Sequence, residues 1–171
     1  MRFGTSIILF TFFCITGCAV TARQKVPVAI EKVDEETAQK VRKTLEKVRK
    51  MASQSSLDYL GRNTMNESVM LMDLGPAVSS ILVEELRTTS DWKYRFWLVD
   101  MLGFLPTPDN IIPLIEVLED YTENVSVRLR ACESLKELKY REAVEHLMIS
   151  RDMVKSQKIA EKIDESIGYL R

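Results

Sequence analysis

The chain has 171 residues, and its 24 Lys and Arg against 25 Asp and Glu leave a formal net charge of −1. A balance so close to neutral offers no basic surplus for nucleic acid phosphates and no acidic tail. Six glycines and five prolines are too few for a β-rich or low-complexity chain, and the length suits one domain with a real core.

Met1-Arg2 places one positive charge at the start, and Ile7 to Ile15 follows as an apolar run. Crossing hydrocarbon takes about twenty such residues, roughly twice this run. A cationic start, a short apolar core and then small residues form the secretory pattern. An amphipathic helix of a globular protein would show a polar face, which residues 7–15 lack. The run closes on Ile15-Thr16-Gly17-Cys18. That order, aliphatic, small, Gly, Cys, resembles the lipobox of bacterial lipoproteins, over the first twenty or so residues. The resemblance implies a signal peptide over 1–17, a thioether diacylglycerol on Cys18, cleavage before it and acylation of the new amino terminus. An ordinary secretory signal with an incidental Cys18 is the alternative. Each buried methylene contributes about 0.8 kcal/mol, and two or more chains hold a protein stably. A membrane, reached through lipid on Cys18, is therefore an expected partner. The expected location is the cell membrane or outer membrane. By similarity to enterobacterial sorting, Ala19 after the cysteine favours the outer membrane where the source has one. Cys14 would leave with the signal, so Cys132 remains as a lone thiol without a disulfide framework.

Residues 18–33 show no period, contain Pro27 and are expected to form a tether. A helix is predicted over 34–58. Asp34 can cap it, and Glu35 and Glu36 suit its positive end. Ala38, Val41, Leu45, Val48 and Ala52 recur at three and four residues, while Lys40, Arg42, Lys43, Glu46, Lys47 and Lys50 fill the other face. This stripe fits a helix that closes one end of the fold. It could also form a short coiled-coil seam between two chains.

Residues 60–171 are predicted to be a helical repeat domain. Gly75-Pro76, Pro106-Thr107-Pro108 and Asp120-Tyr121-Thr122 break the helices. Thr107 before Pro108 and Ser90-Asp91 mark helix starts, and Thr64 with Glu67 is a candidate capping box. No sustained alternation or hairpin turn signals a strand. Arg62, Arg95 and Arg128 lie 33 residues apart, and apolar positions follow each in register: Met65, Leu98, Ala131; Val69, Leu102, Leu135; Met72, Leu105, Leu138. The second helices align through Val78, Ile111, Val144 and through Ile81, Leu114, Leu147. One such pair of helices cannot bury its apolar faces alone, so neighbouring pairs must stack. Val127-Arg128-Leu129-Arg130-Ala131-Cys132 through Leu138, then Ala143-Val144-Glu145-His146-Leu147, resembles a short bacterial HEAT repeat, and Ile111 to Ile115 resembles its second helix. The resemblance covers about residues 60–150 and implies an all-α fold, a short α-solenoid of HEAT-like hairpins. Val154 to Leu170, with Ile159, Ile163, Ile167 and Leu170 on one stripe, is predicted to be the C-terminal cap.

The search for chemistry yields no catalytic residues, no metal site and no cofactor. His146 is the only histidine and has no ligating neighbours in sequence. Cys132 reads as a buried structural thiol, with a redox role as the alternative. Asp91 to Leu98 holds both tryptophans on a helix apolar nearly all round, which suits the core. Trp92 or Phe96 at its surface would serve as an aromatic anchor for a partner. Arg62, Arg95 and Arg128 would either pair within the chain or line a positive stripe for an acidic partner. The expected function is a membrane-anchored envelope lipoprotein that binds a protein as a scaffold. The alternatives are a homo-oligomeric envelope structural protein and an enzyme similar to the HEAT-repeat bilin lyases.

Overall fold

The computed structural model describes residues 33–171. The signal over 1–17, Cys18, Ala19 and the tether as far as residue 32 lie outside the described residues. The described chain is α-helix, short 3-10 turns and connecting segments, with no strand among the described residues. No helix among them is long and apolar enough to cross a membrane.

Helix α1 (Glu35–Gln54) begins where Asp34 accepts from the Thr37 amide at 2.9 Å. Its stripe Ala38, Val41, Leu45, Val48 and Ala52 is buried in the chain's own core, which leaves no apolar seam on α1 for a coiled coil. The chain continues through α2 (Leu57–Asn63), α3 (Met65–Asp73), α4 (Ser79–Thr88) and α5 (Trp92–Phe104). Then follow α6 (Ile111–Glu119), α7 (Val125–Leu138), α8 (Ala143–Met153) and α9 (Gln157–Leu170). Asp91 caps α5 through the amides of Lys93 and Tyr94, and Thr107 caps the turn Pro108–Asn110 that leads into α6.

Two successive helix–turn–helix units, α5 with α6 and α7 with α8, form the regular part. Helices α5, α7 and α9 pack side by side in one row, and α6 against α8 in the other. The first row carries a repeated bond. The Ser134 hydroxyl of α7 donates to the Val99 carbonyl of α5 at 2.8 Å, and the Ser166 hydroxyl of α9 donates to the Cys132 carbonyl of α7 at 3.1 Å. Small side chains at these positions let the backbones approach. At Gly103 of α5 an added Cβ would fall 2.7 Å from the Ser134 Cβ. In the second row Arg87 of α4 pairs with Glu116 of α6, and the Ser150 hydroxyl of α8 donates to Glu119 of α6 at 2.7 Å. The buried Asn110 amide ties the α5–α6 turn by donating to the Leu102 and Leu105 carbonyls at 2.8 and 3.0 Å. Helix α7 ends on Lys139, the only non-glycine residue with positive φ among the described residues, at 57°.

The first-helix rows predicted for the second and third copies are buried: Leu98 and Leu102 in α5 with Leu105 just after it, and Ala131, Leu135 and Leu138 in α7. In the first copy Val78 is buried and Ile81 packs against the core, but the row of its first helix is not buried. Met65, Val69 and Met72 are exposed, while Leu60, Thr64, Glu67 and Leu71 face inward. The cause is α1. It packs against α5, with Arg49 over the Tyr94 ring at 5.5 Å and Lys93 donating to the Ser55 carbonyl at 2.8 Å. Helix α1 thus occupies surface of α5 that the sequence rows assign to the segment from Leu60 onward. That segment breaks at Thr64 into α2 and α3 and turns a different face inward. The capping box is absent for the same reason. The Thr64 hydroxyl donates back to the Leu60 carbonyl at 2.8 Å, and Glu67 takes Lys47 of α1 at 2.5 Å.

Candidate functional surface

The arginines expected to form a ladder have diverged in role. Arg128 is buried, and its Nε donates to the Leu118 carbonyl at the end of α6 at 2.8 Å. Arg95 does the equivalent one layer earlier, donating to the Leu86 carbonyl near the end of α4, to the Thr89 carbonyl at 3.1 Å and to Glu123 at 2.5 Å. The last carbonyls of a helix lack partners within it, and a guanidinium supplies both donors and positive charge there. These two side chains therefore join the first helix of one layer to the second helix of the layer before. Arg62 is exposed and lies over the Tyr59 ring at 5.3 Å. The structure does not bring the three together as one stripe.

Trp92 stands at the start of α5 with 39% of its surface exposed, while Phe96 packs partly against the core and Trp97 is buried, stacked on Tyr94. Of the two aromatics singled out from the sequence, Trp92 is the more accessible. Cys132 is fully buried in α7, and burial pushes its thiol up to about 12. A thiol so far from ionising is a poor nucleophile at neutral pH. His146 is half-buried on α8. No group of three or more His, Cys, Asp and Glu able to hold a metal occurs among the described residues.

The densest electrostatic cluster belongs to the first row. Arg130 of α7, largely buried, meets Asp100 of α5 and Glu133 and Glu137 of its own helix, and lies over the Phe104 ring at 5.8 Å. Burial holds the Asp100 carboxyl above its ordinary range, against the pull of Arg130. Lys162 of α9 extends the cluster through Glu133 at 3.1 Å. Every acid in it already faces a cation, so it links helices.

A second surface was not singled out from the sequence. Met148 and Ile149 of α8 are 48% and 54% exposed and line a cleft with Ile167 and Gly168 of α9. Arg151 and Asp164, paired at 2.9 Å, and Arg171 rim it. The buried face of α8 is Ala143, Leu147 and Ser150, so Met148 and Ile149 fall off that stripe. They leave an exposed apolar patch beside α9.

Residues 79–156, from the start of α4 to just past α8, match the family of HEAT repeats. No curated protein and no solved structure matches the chain. The match and the two stacked rows agree: the described chain is an all-α solenoid whose helical hairpins are similar to HEAT repeats.

Proposed function

We propose that the chain is a cell-envelope lipoprotein, held to a bilayer by acyl chains on Cys18, whose HEAT-like repeats act as a protein-binding scaffold. The observation that carries the anchor is Ile15-Thr16-Gly17-Cys18 at the close of a short apolar run. Ala19 favours the outer membrane where the source has one. The stacked architecture supports the scaffold. Contacts between adjacent layers supply the core, so outward side chains are free to serve a partner. The apolar α8–α9 cleft and the half-exposed Trp92 are the surfaces best suited to a protein ligand. The arginines at 95 and 128 contribute to the frame that holds those surfaces, and Arg62 remains accessible.

The anchor is tested by the mass of the native amino-terminal peptide and by Cys18→Ser. The expected native peptide begins at Cys18 and carries diacylglycerol and an acyl chain. The expected variant leaves the membrane fraction. An unmodified Cys18 on a membrane-bound chain ends this reading. The scaffold is tested in cells by a photo-reactive residue at Ile149, Trp92 or, as a control, the exposed Tyr121. A discrete cross-linked protein at Ile149 or Trp92 and none at Tyr121 is expected.

A further inference from the structure

The lysines of α1 stand at 40, 43, 47 and 50. Steps of three, four and three put all four on one side of a helix, opposite the buried stripe from Ala38 to Ala52. All four are exposed. Lys47 pairs with Glu67, and Lys50 pairs with Glu46 at 3.0 Å. Lys40 and Lys43 have no ion pair among the described residues. Like charges at these spacings oppose helix formation, and an external anion relieves that repulsion.

The charge is local. Helix α1 carries six basic residues and three acidic ones, two of the acids in its first turn, whereas residues 55–171 carry 14 basic and 20 acidic. An acidic body with one basic face is polarised, and α1 is the first described element after Cys18. Sixteen residues lie between Cys18 and Glu35.

We infer that α1 lays the Lys40, Lys43, Lys47, Lys50 stripe on the anionic headgroups of the bilayer, which fixes the orientation of the solenoid above it. The inference rests on the anchoring proposed above for its setting, and charge complementarity with anionic lipid selects the occupant. The stripe is about 15 Å long, at 1.5 Å per residue, enough to meet several headgroups. Each lysine near such a surface strengthens partition about fivefold, equivalent to about 1 kcal/mol.

The test uses the non-acylated chain from Ala19 to Arg171, which contains the whole described core, sedimented with phosphatidylcholine vesicles or with vesicles rich in phosphatidylglycerol. The parent is expected to bind only the anionic vesicles and to be released by high salt. Lys40→Ala/Lys43→Ala removes the two unpaired charges with the best helix former and is expected to weaken binding about 25-fold. Lys155→Ala/Lys158→Ala, also exposed, serves as the control and is expected to match the parent. Circular dichroism verifies the fold of each. Equal binding to both vesicle types, no binding to either, or equal loss in the control overturns the inference. So does a Lys40/Lys43 variant that binds like the parent, and in that case an acidic protein becomes the occupant to seek. The assay contains no acyl chain, so an unmodified Cys18 in cells would remove the anchor and leave the vesicle result standing.

Discussion

Gly103 and Cys132 show how narrow the tolerances are between α5, α7 and α9. A Cβ at position 103 meets the Ser134 Cβ at 2.7 Å, and Ser134 is itself held by the Val99 carbonyl. Gly103→Ala is expected to lose about 1–3 kcal/mol, the usual cost of forcing extra volume into a packed interior. At Gly61 in α2, an added Cβ meets nothing within 4 Å. Gly61→Ala should gain about 0.5–1 kcal/mol through helix propensity and a less flexible unfolded chain. Urea midpoints of the two variants would move in opposite directions, and a shared direction would show that the α5–α7 approach is looser than described. Cys132 gives a chemical readout of the same packing. Burial raises its folded value from the ordinary 9.0 to about 12, so the folded state holds its proton longer than the unfolded chain does. Its contribution to stability is therefore full below pH 9 and is lost as the pH climbs towards 12. Melting temperatures through that window should fall less steeply in Cys132→Ala. At pH 7 a maleimide should modify the native thiol only as fast as the chain opens.

Between helices, the two guanidinium groups act as connectors. Arg128→Met leaves the Leu118 carbonyl without its donor in a buried setting, and the expected loss is about 2–3 kcal/mol. Arg62→Ala should stay within about 0.5 kcal/mol, because Arg62 is exposed and lies over the Tyr59 ring. Denaturant titration of both checks the contrast, and comparable losses would contradict the divided roles. Helices α5, α6 and α9 were legible in the sequence because each carries its own signal: Asp91 before α5, Thr107 with Pro108 before α6, and a single apolar stripe on α9. The first layer was not. Met65, Val69 and Met72 continue the 33-residue register, yet α1 competes for the same neighbour and the register gives no sign of which helix wins. The site was legible only in part. Trp92 lies at the surface as one reading had it, whereas Arg95 and Arg128 look identical to Arg62 in spacing and differ only in the carbonyls that the fold brings to them. Met148 and Ile149 escaped notice because a short helix with apolar residues on two sides has no unique inner face until its neighbours are placed.

Across the molecule, each layer touches mainly the next, so stability is a sum of neighbouring interfaces and need not be uniform along the array. The slowest hydrogen exchange is expected in α5 and α7, which have packed helices on both sides, and the fastest in α2 and α3, where Met65, Val69 and Met72 face solvent. Uniform protection from α1 to α9 would argue for one indivisible unit. The left-handed turn at Lys139 bears on that sum. A side chain there costs about 1–2 kcal/mol that glycine avoids, so natural selection has left this hairpin short of its thermodynamic ceiling. Lys139→Gly offers an engineer a tighter α7–α8 corner without touching α1, Trp92 or the cleft.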